Sequence, residues 1–300
     1  MSVISVSHLT KRYGPVLAVD DLSFDVHPGK VTGFLGPNGA GKTTTLKILL
    51  GLAAPTAGSA TIGGAEYRRL PDPLRQVGAA LDSNTFHPGR SATQHLKVIA
   101  TAAGIPHRRV GEVLDQVGLA DAAGRRVGGY SLGMRQRLSL AGALLGDPGV
   151  LILDEPLNGL DPEGIRWMRG LLRSLAAEGR TVLVSSHLLT EVAQTVDEVI
   201  VLAKGRLVAE TTLADLTGRS SVVRARTTDS TRLADVLLAA GIQVRVVDGT
   251  TVEARGADGD AIGLAAAGAG LPILELSRHD EDLETLFFDL VNDKQEVAAA

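Results

Sequence analysis

Residues 36–44 read GPNGAGKTT and connect an apolar run at residues 30–35 to a helix-like run that begins at Thr45. A strand, a glycine-rich loop and a helix in this order form the cradle that binds the phosphates of a nucleotide. The glycines let the loop turn its backbone N–H groups inward toward phosphate oxygens. Lys42 is predicted to reach the β- and γ-phosphates, and Thr43 is predicted to bind Mg²⁺. The stretch therefore predicts a core that binds a nucleoside triphosphate.

Every residue of this loop is predicted to contribute to the nucleotide site. The residues are Gly36, Pro37, Asn38, Gly39, Ala40, Gly41, Lys42, Thr43 and Thr44. An ordinary glycine turn before a helix is the alternative, but all four positions of the motif and both flanks agree with phosphate binding.

Length and composition limit the other possibilities. The chain has 300 residues, 44% of them hydrophobic, which favours one large domain and a smaller appendage. Charge or glycine interrupts every apolar stretch before the ~18–20 residues that span a bilayer, and residues 1–9 lack a signal peptide, so a cytoplasmic protein is expected. The absence of cysteine excludes disulfides, thiolate catalysis and cysteine-bound metals, and the seven histidines show no zinc spacing.

Charge and aromatic content bear on the choice of partner. The chain has 30 basic and 34 acidic residues with no long run of one sign, and only 3% of its residues are aromatic. A basic surface and stacking platforms, which nucleic acid binding requires, are therefore not expected. Any association with a membrane is expected to pass through a separate protein, because no basic amphipathic anchor is evident.

Four further segments follow the loop in a fixed order. Residues 130–137 read YSLGMRQR, residues 150–156 read VLILDEP, residues 158–161 read NGLD, and His187 follows the run TVLVSS. The apolar run at residues 150–153 is too short for a helix and suits the middle of a parallel sheet. Asp154 at its carboxyl end is predicted to hold Mg²⁺ together with Thr43, because this end faces the phosphate crevice.

This ordered set resembles the nucleotide-binding subunit of an ATP-binding cassette (ABC) transporter, from residue 1 to about residue 215. The resemblance implies that Glu155 is the general base that orients the attacking water. It also implies that His187 bonds the γ-phosphate and holds Glu155, so that Lys42, Glu155 and His187 form the catalytic set. Tyr13 corresponds to an aromatic residue that stacks on adenine, although an exposed turn tyrosine has the same pattern.

The resemblance further implies a site shared between two protomers. Ser131, Leu132 and Gly133 match the signature that caps the γ-phosphate of ATP bound by the other protomer. Asp161, the last residue of the segment NGLD, is also expected to contribute to nucleotide binding. Ser131 is predicted to cap a helix whose N–H groups and dipole favour an anion. A homodimer that closes on ATP is the implied assembly.

Two departures from the family pattern affect these expectations. Tyr130, Leu132 and Met134 replace residues of the commoner LSGGQ signature, and this SLGM form resembles the antibiotic-export branch. Asp82 stands where the family places a glutamine that touches Mg²⁺ and the membrane partner. An acid can reach a cation but cannot donate a hydrogen bond as an amide does, and Asp82 could equally cap a loop.

The predicted architecture is an α/β P-loop NTPase core, a mostly parallel sheet flanked by helices, with three additions. These are an antiparallel β-subdomain near the N-terminus, an inserted α-helical subdomain at about residues 88–145, and a small C-terminal α+β domain at residues 219–292. The nucleotide-binding domain is predicted to cover residues 1–218. A terminal helix is predicted at residues 280–291, and residues 293–300 are expected to be disordered.

The terminal segment DEDLETLFFDLVND at residues 280–293 resembles the ending of cassette subunits from daunorubicin and bacitracin resistance systems. Its apolar residues would equally make the core face of an ordinary amphipathic helix. Taken with the signature, it favours an ATP-hydrolysing subunit at the inner face of the cell membrane. That subunit would drive a separately encoded integral-membrane permease that exports a drug, an antibiotic or a lipid-like compound.

Two alternatives remain at this stage. A soluble cassette ATPase that acts on ribosomes or DNA would carry two cassettes or long coiled-coil insertions, and neither is evident. The second alternative is a nucleotide-gated sensor whose C-terminal domain binds the ligand.

Overall fold

A computed structural model describes residues 3–81, 86–219, 221–255 and 257–280 of the chain. Asp82, the predicted terminal helix beyond residue 280 and the tail at 293–300 lie outside these residues. The chain divides into two compact units, Met1–Glu210 and Thr211–Ala300. The boundary between the nucleotide-binding domain and the C-terminal domain, expected between residues 218 and 219, stays a prediction.

Strands and helices alternate through most of the described chain. The strands are β1 Ile4–Tyr13, β2 Val16–Val26, β3 Val31–Leu35, β4 Ala57–Ile62, β5 Val77–Ala80, β6 Val150–Leu153, β7 Thr181–Ser186, β8 Glu198–Ala203, β9 Arg206–Thr212, β10 Ser221–Thr227, β11 Gln243–Asp248, β12 Thr251–Arg255 and β13 Ile273–Asp280. The helices are α1 Lys42–Leu49, α2 Pro73–Gln76, α3 Ala92–Ala102, α4 Arg108–Gln116, α5 Leu132–Leu144, α6 Pro162–Ala177, α7 Leu189–Val192, α8 Leu213–Arg219, α9 Ser230–Ala239 and α10 Gly259–Gly268.

The first unit is organised around a six-stranded sheet with strand order β5-β6-β7-β3-β8-β9. The pairs β5–β6, β6–β7, β7–β3 and β3–β8 are parallel. Every residue of β3, β6 and β7 is buried, as expected for central strands covered on both faces. The carboxyl ends of β3, β6 and β7 therefore meet at one edge of the sheet, where the P-loop, the Asp154-Glu155 pair and His187 follow.

Two additions flank this core as predicted. A three-stranded antiparallel sheet has the order β2-β1-β4, and Ile4 of its central strand pairs with Val26 on one side and Ile62 on the other. The helices α3, α4 and α5 contact one another, and each has a fully buried apolar residue, namely Leu96, Val113 and Leu138. Ser91 starts α3 with a capping box, since its hydroxyl accepts from Gln94 N and its own N–H donates to the Gln94 side chain.

The second unit contains the element sequence β10-α9-β11-β12-α10-β13. Its strands form an antiparallel sheet with order β11-β12-β10-β13. This is the split βαβ arrangement of ferredoxin-like domains. The helices pack on one sheet face through a shared apolar core, for which Val223, Leu233 and Ile262 are examples. Asp280, predicted to begin a helix, is instead the last residue of β13, because the strand continues its pairing with β10 to this position.

The predicted fold class, an α/β P-loop core with antiparallel, helical and α+β additions, is confirmed by this arrangement. Among the described residues, no helix combines the length and the hydropathy that a bilayer crossing requires.

Candidate functional site

The P-loop joins β3 to α1 and has glycine where a side chain would not fit. A Cβ on Gly36 would lie 2.5 Å from the Leu202 carbonyl oxygen, and a Cβ on Gly41 would lie 2.5 Å from that of Ala18. Gly41 also has φ +101° as the residue that precedes α1, a conformation that favours glycine. Glycine is therefore required at both positions by close contacts, and at Gly41 also by the backbone conformation. The loop leads directly into the N-terminus of α1, and a helix N-terminus attracts anions.

Lys42 is the first residue of α1 and is buried. Its Nζ donates to the Gly36 carbonyl oxygen at 2.6 Å and lies 3.6 Å from Glu155 Oε1. Burial lowers the pKa of Lys42 from its usual value, while Glu155 and Asp154 act in the opposite direction. The ammonium group is thus a poorly hydrated cation that the loop folds around, which suits it to contact phosphate oxygens.

Asp154 lies directly after β6 and is held by two hydroxyl groups. Thr43 Oγ1 donates to Asp154 Oδ2 at 2.8 Å, and Ser185 Oγ donates to Asp154 Oδ1. A threonine hydroxyl beside a carboxylate is an all-oxygen donor set of the kind that Mg²⁺ prefers. The predicted metal ligands Thr43 and Asp154 are therefore adjacent and chemically suited to this ion.

Glu155 has a left-handed backbone, with φ +49°, which is uncommon for a residue other than glycine. Its N–H donates to Ser185 Oγ at 2.9 Å, and its carbonyl oxygen accepts from Gln136 Nε2 at 3.1 Å. These side chains come from β7 and α5, so tertiary contacts hold the turn at this position.

The Glu155 carboxylate meets the other two predicted catalytic residues. Its Oε2 lies 2.9 Å from His187 Nδ1, and its Oε1 lies 3.6 Å from Lys42 Nζ. An ionised carboxylate only accepts hydrogen bonds, so a hydrogen bond between these two groups requires the proton on Nδ1. Asn158 Nδ2 adds a longer contact of 3.4 Å to Oε2. The structure thus brings Lys42, Glu155 and His187 together at the edge of the sheet.

A third potential ligand lies beside this pair. Glu191 lies on α7. One of its carboxylate oxygens, a ring nitrogen of His187 and a carboxylate oxygen of Glu155 all lie within 4.8 Å of one another. Glu191 Oε2 also accepts from Ser186 Oγ at 3.2 Å. Three such ligands could hold a cation, but Glu155 and His187 already satisfy each other, so the cluster is explained without one.

The signature residues lie at the start of α5. Ser131 Oγ accepts from Met134 N at 3.2 Å as the N-cap, and no acidic residue in the first turn offsets the positive end of the helix dipole. Asp161 caps α6 in the same way, by accepting from Gly164 N at 2.7 Å. Both caps line one cleft of about 500 Å³, together with Leu132 and Gly133.

Two other predicted positions are less defined by the structure. Tyr13 ends β1 with 48% of its surface exposed, and Lys11 Nζ lies 4.6 Å from the centre of its ring. The exposed ring is compatible with stacking on a base and equally with a surface role. Asp82 is outside the described residues, so its predicted contact with Mg²⁺ or a partner stays a prediction.

Sequence reasoning missed three residues that shape the site: Gln136, Asn158 and Ser185. Gln136 and Asn158 belong to segments already singled out, and Ser185 precedes the predicted histidine by two positions. Their residue types are compatible with hydrogen bonding, but no sequence signal indicates that all three contact Asp154 or Glu155.

Comparison with known proteins adds independent evidence. A family profile described as "ABC transporter" matches residues 19–158, and a profile described as a domain of unknown function matches residues 221–284. The chain is 44% identical over 212 residues to the bacitracin transport ATP-binding protein BcrA of Bacillus licheniformis, covering 70% of this chain and 69% of the relative. It is 38% identical over 208 residues to the lantibiotic transport ATP-binding protein SrtF of Streptococcus pyogenes, covering 69% and 90%.

One relative matches along nearly the whole chain. The ABC transporter ATP-binding protein YdbJ of Bacillus subtilis is 34% identical over 300 residues, covering 98% of this chain and 97% of the relative. A solved ATP-binding subunit of an ABC transporter superposes with a TM-score of 0.65 at 29% identity, covering 71% of this chain and 91% of that one. The chain therefore belongs to the ABC transporter family, as an ATP-binding and ATP-hydrolysing member.

Proposed function

We propose that this chain forms a homodimer around two ATP molecules and drives a separately encoded integral-membrane permease. The exported cargo is proposed to be an antibiotic, a drug or a lipid-like compound. Relatives named for bacitracin and lantibiotic transport support this class of cargo. The observation that carries the proposal is the convergence of Lys42, Glu155 and His187 beside Thr43 and Asp154, which is a site arranged for hydrolysis of a phosphoanhydride.

Each side chain has a defined part in the proposed reaction. Glu155 orients the attacking water and accepts its proton, and His187 holds this carboxylate in place while reaching the γ-phosphate. Lys42 contacts the β- and γ-phosphates from within the loop. Thr43 and Asp154 would hold Mg²⁺, which would supply neutralisation of charge on the phosphates. Tyr13 stacks on the adenine.

The position of the signature supports the proposed homodimer. The cleft shared by Ser131, Leu132, Gly133 and Asp161 includes none of the P-loop residues 36–44 in its lining, within the part of the chain that the structure describes. The N-terminus of α5 thus shares this cleft with none of the P-loop residues of its own chain. A second protomer, placed so that each signature faces the partner's P-loop, would complete two equivalent sites by two-fold symmetry.

The permease is proposed to dock in an apolar groove of the first unit. This groove has a volume of about 430 Å³. Its lining includes Leu50, Leu52, Tyr67, Leu81, Phe86, His95, Ile99 and Leu138. Leu81 immediately precedes Asp82, the position at which the family resemblance places the contact with the membrane partner. A cytoplasmic segment of the permease is therefore the proposed occupant, and it would hold this subunit at the inner face of the membrane.

Reconstitution with a permease tests the proposal. The purified chain and a candidate permease, a six-span membrane protein sought among the products of the neighbouring genes, would be placed in lipid vesicles, and ATP hydrolysis would be measured with and without a bacitracin-type peptide. We expect the membrane protein to stimulate hydrolysis and the peptide to raise it further. Stimulation by RNA or DNA in place of the membrane protein would support a soluble cassette ATPase, and stimulation by free drug alone would support a sensor.

A further inference from the structure

The signature helix contacts the Glu155 turn of its own chain. Gln136 is buried on α5, five residues after Ser131, and its Nε2 donates to the Glu155 carbonyl oxygen at 3.1 Å. At the start of the same helix, the Leu132 side chain covers Gly159, where an added Cβ would overlap the Leu132 Cδ2 atom. Two contacts thus join the first two turns of α5 to the segment that begins at Glu155.

Packing alone does not account for glutamine at position 136. Its Oε1 is buried and has no hydrogen-bond partner among the residues that the structure describes, a state that costs free energy. A methionine of similar length would fill the same space without a buried unsatisfied oxygen. Methionine lacks the N–H group that donates to the Glu155 carbonyl oxygen. This hydrogen bond therefore explains the presence of an amide side chain at position 136.

The contact matters because the Glu155 turn is strained. A left-handed φ at a residue with a side chain persists only when its surroundings hold it, and here the holders are Ser185 on the N–H side and Gln136 on the carbonyl side. We propose that Gln136 is a positioning residue that fixes the Glu155 carboxylate for hydrolysis through the Glu155 backbone. This inference rests on the proposed role of Glu155 as the base.

The test replaces Gln136 and compares ATP binding with hydrolysis. Gln136→Met should lower the maximal hydrolysis rate about tenfold, the effect of losing one positioning hydrogen bond, with the dissociation constant for ATP unchanged. Gln76→Met is the matched control, since Gln76 Nε2 also donates to a backbone carbonyl, that of Pro71, away from the site. This control should hydrolyse ATP at the rate of the unmodified chain.

A double variant identifies the residue through which Gln136 acts. In a Glu155→Gln background, Gln136→Met should cause no further loss of the residual hydrolysis, because the carboxylate that it positions is gone. A further tenfold loss there, or a rate for Gln136→Met equal to that of Gln76→Met, would overturn the inference. If Gln136→Met does not fold by circular dichroism, Gln136→Leu is measured, and failure of both variants to fold would show a purely structural role.

These outcomes are separable from failure of the proposed function. If Glu155→Gln hydrolyses ATP as fast as the unmodified chain, the role of Glu155 as base is wrong and the inference falls with it. If Glu155→Gln is inactive while Gln136→Met is fully active, only the inference about Gln136 is wrong.

Discussion

His187 Nδ1 lies 2.9 Å from Glu155 Oε2. The two residues follow the carboxyl ends of β6 and β7, which are neighbouring parallel strands. Lys42, from the loop after the adjacent strand β3, lies 3.6 Å from the other oxygen of the Glu155 carboxylate. A buried cation and a histidine thus orient the Glu155 carboxylate. This orientation supports Glu155 as the proposed base.

Replacement of Glu155 by glutamine should separate binding from hydrolysis. Glu155→Gln keeps the size and polarity of the side chain but removes the proton acceptor, so hydrolysis should fall by about 10²–10⁴-fold while ATP affinity is retained. Lys42→Ala is the contrasting variant, because loss of the phosphate-binding cation should weaken ATP binding itself. Phosphate release and equilibrium binding of a fluorescent ATP analogue measure the two effects. Undiminished turnover in Glu155→Gln would remove Glu155 from the mechanism.

Much of the fold could be predicted because its signals are local. The strand–loop–helix around residues 36–44 and the apolar strand before Asp154 are defined by a few adjacent residues. The left-handed turn at Glu155 and its contact with Gln136 could not be predicted. Both depend on how α5 packs against the sheet, and no local sequence pattern indicates such packing.

The close contact between Leu132 and Gly159 predicts a stability difference between two glycines. Gly159 has φ +75°, a conformation that is strained for alanine, and a Cβ there would displace the Leu132 side chain, so Gly159→Ala should lower the free energy of unfolding by about 1–3 kcal/mol. Gly170, exposed in α6 with open space around it, is the control, and Gly170→Ala should raise stability by about 0.5–1 kcal/mol. Urea unfolding followed by Trp167 fluorescence reports on the first unit, since the chain has one tryptophan. Equal effects of the two substitutions would contradict the packing described here.

The apolar groove should be required for coupling and dispensable for basal hydrolysis. Leu52 lines the groove with 67% of its surface exposed, so Leu52→Asp should leave the fold intact. We expect unchanged basal hydrolysis and loss of the stimulation by the permease, because a charge in an apolar contact must be desolvated. Leu264→Asp, a change at an exposed leucine of the second unit, should retain stimulation. Full stimulation of Leu52→Asp would place the docking surface elsewhere.

The second unit should be separable from nucleotide binding. Residues 219–300, which make up most of it, carry none of the predicted nucleotide residues, so a chain truncated after Gly218 should bind Mg-ATP with unchanged affinity. Its dimer should dissociate at higher protein concentration than the full-length dimer, since an appended domain often supplies interface area. Calorimetric ATP binding and sedimentation at several concentrations test this. Loss of ATP binding in a truncated chain that is still folded by circular dichroism would show that the two units are not independent in function.

The central claim is that the ATP site is completed by a second protomer, and the mass of the Glu155→Gln protein in solution tests it most directly. Light scattering after size-exclusion chromatography should give a homodimer with ATP and mostly monomer without it, because the γ-phosphate bridges Ser131 and Gly133 of one protomer to the P-loop of the other. Adding Ser131→Arg should abolish the dimer with little change in the ATP affinity of the monomer, whereas Ser59→Arg, the same change at an exposed residue of β4, should not. If the Glu155→Gln, Ser131→Arg protein dimerises with ATP as well as Glu155→Gln alone, the account of a shared site is wrong.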